Sequence, residues 1–206
     1  MSDPSTPPPP RRARCQRCAL PLRTCLCALV ARVDNAVEVL VLQHPDEVDE
    51  AKGSARLLRL SLARCRVVVG EVFESAALLA LLDGGVSGNA LLYPADTPAG
   101  TALTQMAARP RRLVVLDGTW RKSSRMLHAN PLLQSLPRWA LAPVEPSRYA
   151  ALRKAREPAQ LSTLEATCAA LAQIEDAAPR YAPLLGAFDR FVAQGAARAS
   201  RGRGPG

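Results

Sequence analysis

The sequence predicts an α/β fold, a mostly parallel sheet with helices on both faces, and three observations carry that expectation. Short runs rich in valine and leucine alternate with helix-length stretches. The runs are almost continuously apolar, as strands buried on both faces are. The chain of 206 residues is 48% hydrophobic and 22% charged, which suits one ordinary domain with a small appendage and excludes a disordered or rod-like chain.

Taken in order, residues 1–11 are polar and proline-rich and are expected to be a disordered leader. Residues 12–34 hold a cysteine cluster, residues 35–195 form the main domain, and residues 196–206 are expected to be a disordered basic tail. Within the main domain, residues 36–42 (AVEVLVL), 66–70 (RVVVG), 89–93 (NALLY), 112–117 (RLVVLD) and 138–144 (RWALAPV) have the length and composition of strands. Residues 54–64, 75–82, 119–129, 163–176 and 181–193 are expected to be helical. Thr119 can cap the third of these, and S-T-x-E at residues 162–165 is a capping signature for the fourth. The glycines of DGGVSG (residues 83–88) suit a turn before the third strand.

Several classes fall away. No G-x-G-x-x-G follows the first strand and no G-x-x-x-x-G-K-[ST] is present, so dinucleotide-binding and P-loop folds lack their fingerprints. A nucleophile elbow is absent as well. No apolar run reaches the ~18 residues of a membrane span, and the opening residues lack the apolar core of a secretory signal. A cytoplasmic protein is therefore expected, in whose reducing surroundings cysteines serve better as metal ligands or core residues than as disulfides.

The net charge of +9 is unevenly placed. Residues 11–32 carry six arginines and no acid, and residues 109–156 carry eleven basic against two acidic groups. Clustered charge of this kind fits a polyanion such as RNA. Cys15, Cys18, Cys25 and Cys27 form C-x2-C-x6-C-x-C, a set that can close a tetrahedron around Zn2+ and supply folding energy to a segment too short for a core. A redox role and unligated thiols are the alternatives. Cys65 and Cys168 are expected in the core.

The stretch LVVLDGTWRKSSRMLHANP (residues 113–131) has the order strand, tight turn, helix. Ligands of open α/β sheets lie outside the carboxyl ends of the strands, where Asp117 stands. On the following helix Arg121, Lys122, Arg125 and His128 share one side, while Trp120, Ser124 and Leu127 turn to another. Spacing alone leaves open whether Asp117 is an ordinary turn residue and Trp120 part of the core.

These residues resemble the DTW-domain family of tRNA-uridine aminocarboxypropyltransferases. The resemblance rests on D-G-T-W at residues 117–120, R-M-L at 125–127, Asn130-Pro131, the N-terminal cysteines, Q-H-P-x-E at 43–47, Leu92-Tyr93-Pro94 and L-S-T-x-E-A at 161–166. Together they span residues 15–175. Ser54 stands where the family pattern has threonine; the hydroxyl is kept.

The resemblance implies a SPOUT-like fold with a knotted C-terminal part. It implies transfer of the 3-amino-3-carboxypropyl group of S-adenosylmethionine to N3 of a uridine in tRNA. On this reading Asp117, Thr119 and Trp120 are catalytic, with Asp117 either accepting or only orienting the imide hydrogen. Leu92, Tyr93, Pro94, Ser162, Thr163 and Glu165 hold the cofactor, although a plain helix cap explains the last triplet equally well. Arg121, Lys122, Arg125, Arg153, Lys154 and Arg156 contact tRNA, and the four clustered cysteines hold zinc. His44 reads as a loop histidine. An RNA methyltransferase using the same cofactor and a non-catalytic zinc-ribbon RNA binder are the alternatives; no membrane and no obligate protein partner are implied.

Overall fold

Successive residues of a strand point to opposite faces, so a strand that is apolar at every position can carry a helix layer on each side. The computed structural model, which describes residues 13–50, 53–94, 109–141 and 161–201, shows this arrangement. Five strands, β1 (Glu38–Gln43), β2 (Cys65–Val69), β3 (Asn89–Leu92), β4 (Arg112–Asp117) and β5 (Arg138–Trp139), lie in the order β2-β1-β4-β3-β5. Every described pair is parallel.

Six described helices cover the sheet: α1 (Ala55–Ser61), α2 (Ser75–Leu81), α3 (Trp120–Ala129), α4 (Pro131–Gln134), α5 (Thr163–Glu175) and α6 (Ala178–Arg201). Val39, Val41, Leu113 and Val115 pack with α1, α5 and α6, whereas Leu40, Leu42, Leu91, Val114 and Leu116 pack with α2, α3 and α4. The apolar face of α6, with Tyr181, Leu184, Phe188, Phe191 and Val192, recurs at helical spacing. Leu26, Leu29 and Val33 join the α6 side, which seats the cysteine segment on the main domain.

The expected boundaries shift for local reasons. Ala36 and Val37 do not enter β1, because both backbone N–H groups donate to Glu175 Oε1 (2.9 Å each). Helix α1 stops at Ser61, where the chain turns extended and Leu62 bridges Val33. The strand expected at 138–144 ends at Trp139, with Ala140 and Leu141 outside the ladder, and residues 142–144 lie outside the described residues. Helix α6 runs to Arg201, past the start of the expected tail at 196, over an alanine-rich stretch of good helix formers. The short helix α4, which the sequence reading lacked, starts on Pro131, a residue preset for the first helical turn.

The strand order sets the position of the site. The connection leaving β1 runs to β2 at one edge, and the chain leaving β4 runs towards β5 at the other. The crevice between the carboxyl ends of β1 and β4 is therefore the switch point where ligands of such sheets bind.

Candidate active site and metal centre

At that switch point β1 ends on Gln43 and β4 on Asp117, which face each other in register. Gln43 Nε2 donates to Asp117 Oδ2 and Thr163 Oγ1 donates to Asp117 Oδ1, each at 2.7 Å. The His44 N–H donates to the Asp117 carbonyl at 2.9 Å. Asp117 is 6% exposed, so a carboxylate close to a strand end is held in one orientation by residues from β1 and from the start of α5.

The neighbouring segments hold one another. Ser162 and Glu165 form the capping box of α5: Ser162 Oγ accepts from the Glu165 N–H, and Glu165 Oε2 accepts from the Ser162 N–H. Of the triplet expected to hold a cofactor, two residues thus cap a helix and Thr163 anchors Asp117. Ser54 Oγ accepts from the Leu164 N–H at 3.3 Å, which ties α1 to α5 and explains why a hydroxyl suffices there. Thr119 is the N-cap of α3, accepting from the Lys122 N–H. Gly118 sits close to α3: a Cβ there would lie 3.1 Å from Lys122 Cβ, a tight contact that would push on the first turn of the helix.

Q-H-P-x-E resolves into partners in the same way. His44 Nδ1 accepts from the Asp46 N–H, leaving the proton of the neutral ring on Nε2. That nitrogen lies 3.4 Å from Glu71 Oε2 without the alignment of a hydrogen bond. The buried Glu47 carboxylate meets Lys122 Nζ at 2.9 Å, and Asp46 is 3.4 Å from the same ammonium. The hydrogen bond that Lys122 donates to Glu47 raises the Lys122 pKa above its usual value. Arg125 pairs with Glu71 at 2.7 Å. Two of the three basic residues expected on α3 to meet RNA are therefore committed to acids of the protein, while Arg121 is exposed. His128 Nδ1 lies 2.7 Å from the Ser124 carbonyl, one turn back on α3. The expected faces of α3 change too: Ser123, Met126 and Leu127 are buried. Trp120 is 61% exposed.

Trp120 stacks on Tyr93, with ring centroids 5.2 Å apart and planes 14° apart, and the Arg138 guanidinium lies 5.3 Å from the Tyr93 centroid. Leu92 is in register with Val115, so Leu92-Tyr93-Pro94 leaves the sheet beside the end of β4. The indole Nε1 of Trp139, at the end of β5, is buried without a hydrogen-bond partner among the described residues. Sequence reasoning passed over Gln43, Tyr93's partner Arg138 and Trp139; of these only Gln43 lay inside a recognisable motif. Asn130 proves to be a clamp, taking the Phe73 N–H on Oδ1 and donating to the Glu71 and Met126 carbonyls. Arg153, Lys154 and Arg156 lie outside the described residues.

The four N-terminal cysteines do converge. Their sulfurs all lie within 4.8 Å of one another, with Cys15–Cys27 at 3.6 Å and Cys18–Cys25 at 3.7 Å. A tetrahedron with Zn–S bonds near 2.3 Å has sulfurs about 3.8 Å apart, so the set fits zinc. Backbone N–H groups of Cys18 and Arg17 point at Cys15 and draw its thiol down to about 6, whereas burial and the neighbouring thiols push Cys27 up to about 12. Cys15 and Cys18 are thus lowered while Cys25 and Cys27 are raised, as expected where several anions must share a small volume. Cys168 is buried as expected, and Cys65 is partly exposed at the start of β2.

The DTW domain profile matches residues 12–195. The chain is 32% identical over 179 residues to tRNA-uridine aminocarboxypropyltransferase 2 of Drosophila melanogaster, covering 83% of this chain and 70% of that protein. Proteins of the same name from Macaca fascicularis and Mus musculus are 27% and 28% identical over 175 and 173 residues, or 82% and 80% of this chain. The chain spans 58% and 57% of those two relatives, less than two thirds of their length. No solved structure matches.

Proposed function

The chain belongs to the DTW-domain family, and from that premise we propose that it is a cytoplasmic tRNA-modifying transferase that places a 3-amino-3-carboxypropyl group on N3 of a uridine. S-adenosylmethionine supplies that group at a sulfonium-activated methylene: the N3–C bond forms as the C–S bond breaks, 5′-methylthioadenosine leaves, and the imide proton passes to solvent water. The observation that carries the reading is the convergence on Asp117, at the switch point, of Gln43 from β1 and Thr163 from α5.

Asp117 acts as an orienting acceptor for the uridine imide hydrogen. Gln43 and Thr163 hold its carboxyl group in one orientation, which suits it to meet a hydrogen at a fixed place. The Tyr93–Trp120 stack offers a flat, exposed face on which a base or an adenine can lie. The orphaned Trp139 Nε1–H and the Leu92-Tyr93-Pro94 turn offer the cofactor a donor and a wall. Zinc, held by Cys15, Cys18, Cys25 and Cys27, is structural. A SPOUT-like knot in the C-terminal part belongs to the same proposal.

The test is incubation of the purified chain with unmodified tRNA and S-adenosylmethionine, followed by nucleoside and by-product analysis. The expected result is 3-(3-amino-3-carboxypropyl)uridine with methylthioadenosine. S-adenosylhomocysteine in its place would make the protein a methyltransferase, and tRNA binding without cofactor binding would leave a non-catalytic RNA binder.

A further inference from the structure

Among the described residues, basic side chains without an ion pair include Arg121 on α3 and a group on the cysteine segment. On α3, Lys122 and Arg125 pair with Asp46, Glu47 and Glu71, so two of the three bases there are already engaged within the protein. The cysteine segment differs. Arg14, Arg17 and Arg23 are exposed, and residues 11–32 contain no acid. Arg17 and Arg23 make no ion pair among the described residues. Among the described residues Arg14 reaches Asp49 at 3.7 Å, with both side chains mostly in solvent, where water and salt leave such a pairing weak.

We propose that Arg14, Arg17 and Arg23 form a docking surface for tRNA phosphates, separate from the residues of the chemistry. Resting on the tRNA reading above, it assigns the backbone contact to the metal module. Three features support it. Exposed guanidinium groups suit bidentate contact with phosphate oxygens. The module is braced, with backbone N–H groups turned onto Cys15 and Leu26 and Leu29 set in the core, so the arginines start from a fixed frame. Finally, Asp49 lies just beyond the turn Pro45–Glu47 that follows β1, which makes the arginine face continuous with the loop bordering Asp117. A zinc ion with four thiolates carries two net negative charges, which three arginines more than offset, and Arg32 adds to the surplus.

The experiment compares the full zinc-loaded chain with its Arg14→Gln/Arg17→Gln/Arg23→Gln variant, measuring affinity for unmodified tRNA by fluorescence anisotropy between about 50 and 200 mM salt. Each phosphate contact contributes roughly 0.9 to the slope of log affinity against log salt in a duplex. The expected result is a slope shallower by about 2 to 3, with zinc content, thermal midpoint and S-adenosylmethionine affinity unchanged. Lys122→Gln/Arg125→Gln is expected to change the slope by less than about one, because those charges are internally paired. A triple variant with the wild-type slope overturns the inference alone. So does a slope that falls only with loss of zinc and returns when zinc is restored, since the arginines then merely balance the thiolates. Wild-type protein that fails to bind tRNA removes the functional reading together with the inference.

Discussion

Asp117→Asn separates the two duties of this residue. Asparagine keeps an oxygen for the Thr163 hydroxyl, but its amide then faces Gln43 Nε2, a donor against a donor, until the Gln43 amide turns over and offers Oε1. The network survives that rotation and loses only its charge. Hydrogen bonds to a charged partner contribute about 1.5–3 kcal/mol and neutral ones about 0.5–1.5 kcal/mol. Two such bonds at 2.7 Å thus lose roughly 1–3 kcal/mol together. For a chain of this size that lowers the thermal midpoint by about 2–12 °C. Asp117→Ala is expected to cost more, since the Gln43 amide and the Thr163 hydroxyl are then both left without an acceptor. If the charge also orients the imide hydrogen, single-turnover transfer at saturating tRNA and cofactor, measured well below the lowered midpoint, falls by at least about 100-fold. Tenfold in rate is about 1.4 kcal/mol of barrier, so this is close to 3 kcal/mol. A rate within about threefold of wild type would reduce Asp117 to a structural pin, and an unchanged midpoint would refute the pinning itself.

Purified, reduced protein should contain about one zinc per chain; Cys18→Ser should lose it, and chelation should lower the thermal midpoint by loosening the contacts of Leu26 and Leu29 with the core. Metal analysis that finds no zinc removes the site. Thiol titration at pH 8 should find the four cluster cysteines reactive only after chelation, the buried Cys168 unreactive until the chain unfolds, and the partly exposed Cys65 slow, because burial pushes both up to about 12. The same two thiols should make stability fall with alkali. Between their ordinary value of 9.0 and about 12 the unfolded chain has released protons that the folded chain still holds, so each withdraws up to about 1.4 kcal/mol per pH unit. Urea midpoints at pH 8 and 10.5 check this, and Cys65→Ala/Cys168→Ala should flatten the decline.

The fold was legible where one physical signal dominated. Strands buried on both faces need unbroken apolar runs, so β1, β3 and β4 stood out, and the capping box at Ser162 marked the start of α5 to the residue. Boundaries were lost where a distant partner decides them. Nothing local to Ala36 and Val37 says that their N–H groups turn to Glu175, 138 and 139 residues away. The four-residue helix α4 has too little sequence to show a period, and the strand order, on which the crevice between β1 and β4 depends, is invisible in any local pattern.

The site was legible as a set of motifs but not as a division of labour. Q-H-P-x-E, D-G-T-W and L-S-T-x-E-A each contain polar residues that sequence reasoning assigns to ligands, yet in the structure they chiefly serve one another. Gln43 and Thr163 hold Asp117, Glu47 holds Lys122, and Ser162 and Glu165 hold the end of a helix. A buried polar group must be paired, and the pairing fixes both residue types at once, so a motif reports internal coupling as strongly as it reports contact with a substrate. Residues free to meet a ligand are then found by elimination among exposed or orphaned groups. Here those are the Trp120 face, the Trp139 Nε1–H, Arg121 and the arginines of the cysteine segment. Of the five arginines in residues 12–34, Arg14 and Arg17 adjoin motif cysteines and Arg23 is two residues from one, yet none belongs to a pattern, so charge accounting locates them and motif matching does not.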